Sequence, residues 1–232
     1  MHPAVGIAIA YILGSIPAAY IAGRLAKGID LREHGSGNLG ATNAYRVLGA
    51  KVASAVMAFD AAKGAIPVLL FPRWTESARP ELWAIAFGIA AIFGHVRPIF
   101  LLWKGGGKGV ATATGVFLGL AWLPTLLAFL VWLMVILRSG YVSLASLCAA
   151  VILPIALAFT EGVRSPLFMV GVAVGLFVFW SHRANIGRLR RGEEHRFGAK
   201  HQSPPGAGTG AWKSGTPSGP ATGSDAASSP PA

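Results

Sequence analysis

The apolar residues of this chain are gathered into long uninterrupted runs, which polar and glycine-rich segments separate. A helix of about 20 apolar residues has the length needed to cross the hydrocarbon core of a bilayer. The pattern therefore predicts an all-α, polytopic membrane protein. The runs that we interpret as single transmembrane segments cover residues 3–23, 47–71, 82–94, 141–160 and 166–181.

The uncharged segment 110–137 allows two interpretations. As one helix, its 28 residues would be about 42 Å long, which exceeds the ~30 Å hydrocarbon core. Pro124 lies near its middle, so the alternative is two short segments that turn around Trp122-Leu123-Pro124.

The membrane side of the basic segments decides between these interpretations. There are three such segments: 24–46, 95–108 and 182–196. Basic residues beside membrane helices favour the cytoplasmic side. All three segments lie on one side only if 110–137 forms two crossings. We therefore predict seven transmembrane segments, two of them short, with the N-terminus outside and the C-terminus in the cytoplasm.

Composition agrees with this class: 53% of residues are hydrophobic and only 12% are charged, against about 25% in average soluble domains. The net charge of +11 would suggest nucleic acid in a soluble protein. Here the basic residues flank apolar runs, so we expect no nucleic-acid partner.

Residues 1–198 are predicted to form the membrane domain. Residues 199–232, rich in Pro, Gly, Ser and Ala, are predicted to be a disordered cytoplasmic tail.

The most distinctive polar stretch is Trp103–Gly109, which combines Lys104 and Lys108 with four glycines. Glycines let backbone N–H groups converge on an anion, and lysine suits phosphate. An apolar helix is predicted to begin at Val110, so the stretch would lie at a helix N-terminus. It is not a nucleotide P-loop, because Leu102 stands where that motif needs glycine. We interpret it as a phosphate site; a flexible basic loop is the alternative.

Two further polar groups accompany it. The first comprises Ser36, Asn38, Thr42, Asn43 and Arg46, whose side chains can hydrogen-bond phosphate or glycerol oxygens. The second comprises His182, Asn185 and Glu194, and the first two share a face if the last helix continues past Ser181.

Asp60 and Lys63 share a face of the second span, either as a neutralising pair or in contact with substrate. No His, Cys, Asp or Glu set has metal-ligand spacing, and the single Cys148 excludes an intrachain disulfide.

Together these motifs resemble the bacterial glycerol-3-phosphate acyltransferase family PlsY. The resemblance runs in order from about Gly14 to Glu194. It is carried by Gly14-Ser15-Ile16-Pro17, Gly35-Ser36-Gly37-Asn38, Gly40-Ala41-Thr42-Asn43 with Arg46, Asp60 with Lys63-Gly64 and Pro67, Gly94-His95 with Pro98, Gly106-Gly107-Lys108-Gly109-Val110-Ala111-Thr112, and His182-Arg183 with Asn185-Ile186, Arg188-Leu189, Gly192 and Glu194. The family usually has two glycines before its lysine and this chain has three, so Lys104 and Lys108 both stay candidates; the residues that follow match Lys108.

The resemblance implies a multi-pass enzyme of the bacterial inner membrane with its site facing the cytoplasm. It would transfer a fatty acyl group from acyl-phosphate to the sn-1 hydroxyl of glycerol 3-phosphate, the first step of phospholipid biosynthesis. No cofactor or metal is implied, and a soluble enzyme that makes acyl-phosphate is a possible partner.

We assign catalytic roles to Lys108, Ser36 and His182. Substrate-binding roles go to Asn38, Thr42, Asn43, Arg46, Lys104, Gly106, Gly107, Ser146, Asn185 and Glu194, with Ser143 a weaker candidate beside Ser146. The proton acceptor is either His182 or the donor phosphate.

The competing function is a transporter of a phosphorylated small solute. Intramembrane Asp60 and Lys63 would fit it, as would helices kinked at Pro17 and Pro124. The acyl-CoA type of acyltransferase is excluded, because none of the six histidines starts a His-x4-Asp motif.

Overall fold

The computed structural model describes residues 1–198, and throughout this range the regular structure is helical, without a strand. The predicted all-α class is therefore confirmed, whereas the predicted tail at 199–232 lies outside the described residues. Short 3-10 turns at Leu31–Glu33 and Ile99–Leu101 accompany the helices. The α-helices are α1 Pro3–Ser15, α2 Ala18–Lys27, α3 Ala41–Leu48, α4 Ala50–Trp74, α5 Pro80–Val96, α6 Val110–Leu120, α7 Trp122–Ser139, α8 Val142–Thr160, α9 Pro166–Ser181 and α10 Arg183–Arg190.

Five helical segments of residues 1–198 are long and apolar enough to cross a membrane. They are Pro3–Lys27 (α1 with α2), α4, Pro80–Leu101 (α5 with its 3-10 turn), α7 and α8. The pair α9 and α10, which bends by 58° between its two helices, makes a sixth if the two are counted as one span. The apolar α6 has only 11 residues, or roughly half the thickness of a hydrocarbon core. The count of seven crossings and their orientation stay predictions.

The segment 110–137 breaks into two helices, as the second interpretation required. The break lies at Ala121, whose φ of −151° leaves the helical region, and Pro124 falls in the first turn of α7, where proline is tolerated. The prediction that both halves are short was wrong for α7, which has 18 residues. Only α6 is short.

The polar segment before the second span also differs from its prediction, which began the span at residue 47. Gly49, with a φ of +88°, separates the short helix α3 from α4. Because this backbone conformation favours glycine, the chain can turn sharply there. Consequently α3 is an independent helix that carries Thr42, Asn43 and Arg46 to the end of the bundle.

Close helix contacts fix the place where α6 begins. Gly64 of α4 packs on the Thr112 carbonyl, and Gly115 of α6 packs on the Ala61 carbonyl, with no room for a Cβ at either glycine. Small residues that let helix backbones approach are typical of membrane interfaces. The N-terminus of α6, directly after Lys108, is thereby held against the middle of α4.

Candidate active site

One cavity of about 620 Å³ lies between α4, α6, α7, α8 and α9, with α3 and α10 at its polar end. Its volume is within the usual range for ligand pockets, about 300–1,000 Å³. The apolar part is lined from five helices, among others by Met57, Phe117, Trp132, Leu153 and Val174. The polar part is lined by Ser36, Asn38, Thr42, Asn43, Arg46, Lys108, Ser143, Ser146, His182, Asn185, Arg188, Glu194 and His195. The cavity therefore joins a charged end to an apolar channel.

The two lysines of the glycine-rich stretch have different surroundings. Lys108 is half-buried, lines the cavity and donates a hydrogen bond to the Asn185 side-chain oxygen. Lys104 is exposed and does not line the cavity. The geometry thus favours Lys108 for a phosphate role and gives none to Lys104.

The glycines between these lysines support the loop instead of lining the cavity. The Gly107 N–H donates to the His95 carbonyl, at 3.2 Å, and Gly106 packs on the Val96 carbonyl. The amide cradle that we predicted at Gly106 and Gly107 is therefore displaced by three residues, because the Gly107 N–H is already used. Gly109 and Val110, at the N-terminus of α6, line the cavity, where the first N–H groups of a helix lack intrahelical partners.

Glu194 is the hub of the polar end. Its carboxylate accepts hydrogen bonds from Asn185 Nδ2 (2.6 Å), Ser143 Oγ (2.9 Å) and Arg188 Nε (2.6 Å). Only 2% of this side chain is exposed. Glu194 thus orients Asn185, which in turn receives the hydrogen bond from Lys108.

His182 lies at the bend between α9 and α10, which allows both His182 and Asn185 to line the cavity. Its Nδ1 is 2.8 Å from the Val178 carbonyl. A carbonyl only accepts hydrogen bonds, so we assign the proton to Nδ1. In this neutral tautomer, Nε2 is left as an acceptor.

The residues of the first polar segment divide into two roles. Asn43 is buried and makes three hydrogen bonds: its Oδ1 accepts from the Ser36 N–H, and its Nδ2 donates to the carbonyls of Leu31 and His34. It therefore shapes the loop, and neither of its N–H donors is free for the predicted contact with substrate. Within the described residues, the Arg46 guanidinium donates no hydrogen bond and remains available to a ligand.

Ser146 also has its donor in use. Its Oγ donates to the Val142 carbonyl, at 2.9 Å, and accepts a hydrogen bond from the Trp132 ring N–H, at 3.3 Å. One acceptor position is left for a ligand.

The cations of the polar end are held close together. The pKa of Lys108 is lowered to about 8, chiefly by burial; the charge of Glu194 raises it, and the positive charges of Arg188 and Arg46 lower it. Burial lowers the pKa of Arg46 as well. Burial raises the pKa of Glu194, but hydrogen bonds from Asn185, Arg188 and Ser143 outweigh it and bring this pKa below its ordinary value.

Four ionisable residues of the cavity are not among the predicted site residues: Asp60, His95, Arg188 and His195. Arg188 and His195 belong to the segment 182–196 that we had singled out for its charge. Their place in this segment, beside His182, Asn185 and Glu194, is the sequence signal that could have found them.

Comparison with known proteins gives the family. A family model described as glycerol-3-phosphate acyltransferase matches residues 4–192. The chain belongs to this acyltransferase family. A glycerol-3-phosphate acyltransferase of Synechococcus sp. (strain CC9902) is 46% identical over 198 residues, which cover 85% of this chain and 96% of the relative. One from Geobacter metallireducens is 49% identical over 190 residues, covering 82% and 95%.

Two crystal structures of PlsY (YgiH), an integral membrane glycerol 3-phosphate acyltransferase, have the same fold. The glycerol 3-phosphate form has a TM-score of 0.75 and 39% identity, covering 84% of this chain and 96% of that chain. The lysophosphatidic acid form has a TM-score of 0.74 and 38% identity, covering 84% and 95%. The predicted membership of the PlsY family is confirmed. The chain is thus a multi-pass membrane acyltransferase, and the transporter alternative has lost its support.

Proposed function

We propose that this enzyme transfers a fatty acyl group from acyl-phosphate to the sn-1 hydroxyl of glycerol 3-phosphate, releasing lysophosphatidic acid and phosphate. The observation that carries the proposal is that one cavity joins a cationic end to an apolar channel. A lysophosphatidic acid has these same two parts, a phosphate head and an acyl chain.

The charge of the polar end suits two phosphate groups. Arg46, Lys108 and Arg188 face one carboxylate, that of Glu194, which leaves two positive charges uncompensated. Both proposed substrates carry a phosphate. Buried charges are stable only when they are paired, so the two substrates would complete the electrostatics of the site.

The proposed positions of the two substrates follow from these contacts. Ser36, Asn38, Lys108 and the N-terminal amides of α6 hold the donor phosphate. Arg46, His182 and Asn185 hold glycerol 3-phosphate, with Thr42 and Ser146 beside them. The acyl chain extends along the apolar lining between α4 and α8.

The reaction then requires positioning more than a protein nucleophile. The acceptor hydroxyl oxygen attacks the carbonyl carbon, the bond between this carbon and the bridging phosphate oxygen breaks, and phosphate leaves with the electron pair. Ser181 Oγ is 3.2 Å from His182 Nδ1. This nitrogen donates to the Val178 carbonyl, so it cannot take a proton from Ser181, and a Ser–His nucleophile is not supported.

The donor is tested with purified protein in detergent. Phosphate release from a synthetic acyl-phosphate should begin when glycerol 3-phosphate is added, and acyl-CoA should give no product under the same conditions. Equal turnover with acyl-CoA would overturn the proposed donor.

The acceptor position is tested with 2-hydroxypropyl phosphate, which keeps the secondary hydroxyl and lacks the primary one. It should inhibit the reaction without being acylated. Formation of an acyl ester on its secondary hydroxyl would contradict sn-1 transfer.

The proton of the hydroxyl goes either to His182 Nε2 or to an oxygen of the leaving phosphate, and a His182→Gln variant separates these routes. Glutamine keeps a polar group near the Nε2 position but is not a base. A loss of about 10²–10⁴-fold in kcat would assign the proton to His182, because general bases contribute that much. A kcat within about tenfold of wild type would assign it to phosphate.

We also propose that the site faces the cytoplasm from the bacterial inner membrane, where a soluble enzyme would supply acyl-phosphate. The basic segments that line the site support this orientation. In a Cys148→Ala background, a cysteine at Lys104 should react with a membrane-impermeant thiol reagent only in inverted vesicles. A cysteine at Glu76, which is 92% exposed in the predicted external loop, should react only in intact cells. The reverse pattern would refute the orientation.

A further inference from the structure

The helices beneath the glycine loop carry a buried charged group to which the proposed reaction assigns no role. Asp60 and Lys63 of α4 are each 2% exposed, and His95, at the end of α5, is 7% exposed. Ionisable residues inside membrane bundles are costly and are retained for function or for close pairing. Asp60 and His95 also line the cavity, so their position relative to Lys108 bears on the chemistry.

The contacts of Lys63 within the bundle explain why its charge can be buried. Its Nζ is 2.8 Å from Asp60 Oδ1 and donates a hydrogen bond of 2.9 Å to the Ile16 carbonyl. That carbonyl lies at the break between α1 and α2, where Pro17 interrupts the helix. Lys63 therefore satisfies a carbonyl at the break and neutralises Asp60.

Asp60 has a second neighbour, the ring of His95. Its Oδ1 lies 3.5 Å from His95 Nδ1. At this distance the carboxylate lies beside the Nδ1 side of the imidazole and attracts it electrostatically, while the Nε2 edge of the ring faces Gly107. The His95 ring lies directly under Gly107, with no room for a Cβ there.

His95 holds the glycine loop through its backbone as well. Its carbonyl accepts the Gly107 N–H at 3.2 Å, and Asn38 Nδ2 donates to the Gly106 carbonyl at 3.3 Å. The two glycines are thus held between the end of α5 and Asn38. Lys108 is the next residue, and its direction follows from theirs.

We propose that Asp60 and His95 are positioning residues that hold the glycine loop at Gly106–Gly107 and thereby direct Lys108 into the cavity. The inference rests on the proposed role of Lys108 in phosphate binding. The Lys108 side chain has four rotatable carbon–carbon bonds, so its ammonium is placed only if its backbone is fixed. A displacement of about 1 Å at a catalytic group can lower a rate by about 10²-fold.

A double-mutant cycle between residues 95 and 107 tests the contact. Gly107→Ala adds a methyl group against the imidazole and should lower kcat by about 10²-fold, with a smaller change in KM. His95→Asn keeps a nitrogen near the Nδ1 position for Asp60 and removes the part of the ring that the new methyl group meets. The double variant should therefore be more active than Gly107→Ala alone.

Rescue of this kind is specific to the contact, since destabilising changes at unrelated sites add. If the double variant shows the product of the two single losses, or less activity, the proposal is wrong. Gly119→Ala provides a matched control, because the atoms nearest its methyl group would belong to the side chains of Val68 and Leu69; this variant should keep the wild-type kcat.

Asp60→Asn tests the carboxylate. In a loosened loop, Lys108 becomes more exposed, so its pKa rises from about 8 toward the ordinary value. The charges that set this pKa are those of Glu194, Arg188 and Arg46, so an upward shift in Asp60→Asn reports movement of the loop. The midpoint is measured from the pH dependence of Lys108 modification by an amine reagent, read by peptide mass.

This readout does not depend on turnover and separates the two hypotheses. If Lys108→Ala retains full activity, the proposed role of Lys108 fails. The modification experiment on Asp60→Asn still shows whether the glycine loop has moved, because it measures the Lys108 midpoint and not turnover. If Asp60→Asn unfolds at a lower temperature but keeps the wild-type kcat and the wild-type Lys108 midpoint, Asp60 has a structural role only and the inference is overturned. Should Asp60→Asn fail to fold, the cycle at residues 95 and 107 decides, because it leaves the Asp60–Lys63 pair intact.

Discussion

At the scale of single residues, burial separates two lysines that are otherwise alike. Both lysines lie next to glycines in one short stretch: Lys104 precedes Gly105, and Lys108 follows Gly107. Lys108 contacts Asn185 in the cavity, whereas Lys104 is exposed. A preorganised cation in a partly dehydrated site stabilises developing charge far more than a solvated one.

We expect Lys108→Ala to lower kcat/KM by about 10²–10³-fold, the usual effect of removing one such group. Lys104→Ala, the matched control, should leave kcat/KM close to that of wild type. Initial rates of phosphate release, on samples that elute as folded protein, provide the measurement. Equal losses in the two variants would contradict the assignment.

A second residue-scale prediction concerns the pH dependence of activity. Lys108 is charged below its pKa of about 8, so kcat/KM should fall as the pH rises through this value. Glu194 raises that pKa. Glu194→Gln should therefore move the basic limb of the kcat/KM profile to a lower pH, in addition to lowering its plateau.

The control for this variant is Glu193→Gln. Glu193 carries the same charge one residue earlier, but it is 56% exposed and pairs with Arg191 outside the cavity. Its removal should leave the limb where it is, because exposed ion pairs are screened by solvent. A limb that moves equally in both variants would show that the effect is one of overall charge.

At the scale of elements, a short segment after α10 ties separate parts of the site together. We call residues 193–197 the C-terminal strap. Phe197 stacks on Tyr45 of α3, with ring centroids 4.3 Å apart, and its N–H donates to the Gly140 carbonyl between α7 and α8. Because the strap also carries Glu194, it links α3, with Arg46, to the hub of the polar end.

Phe197→Ala should loosen α3 and raise the KM for glycerol 3-phosphate several-fold, because Arg46 is then held less firmly. An aromatic pair is worth about 0.5–1.5 kcal/mol beyond the area it buries, which corresponds to a change of this size. Phe159→Ala is the control, since Phe159 is 87% exposed at the far end of α8. An unchanged KM in Phe197→Ala would show that the strap does not position Arg46.

At the scale of the whole molecule, the residues of the described range 1–198 that line the cavity all lie at or before His195. A chain that ends at Gly198 should therefore keep the wild-type kcat/KM, whereas a chain that ends at Gly192 should lose most activity. The second chain lacks Glu194 and the strap, although the family model matches only residues 4–192. Full activity of the shorter chain would remove Glu194 from the site, and inactivity of the longer one would give 199–232 a role.

The arrangement of the bundle shows how α6, with only 11 residues, contributes to the site. Lys108 precedes α6 and Ser143 begins α8, yet both line the polar end of one cavity. The pair of α6 and α7 therefore leaves this end and returns to it, as the two-segment interpretation required. The glycine contacts with α4 then place the N-terminus of α6 beside the charged residues.

The sequence alone determined the all-helical class, most of the helices and the three polar segments of the site. These features depend on local signals: apolar length, glycine, proline and the charges beside each run. The position of the break within 110–137 was nearly right for the same reason, since Pro124 marks it within a few residues.

Tertiary structure alone decided which of these residues meet, because that depends on distances between distant parts of the chain. Lys104 and Lys108 have similar sequence neighbours, and it is the packing of α6 on α4 and of the glycine loop on the end of α5 that separates them. Asn43 has a side chain of a type that binds ligands, but its hydrogen bonds to the loop use both of its N–H donors. His95 gave no local signal of its contact with Gly107, which forms only after α5 and the glycine loop come together.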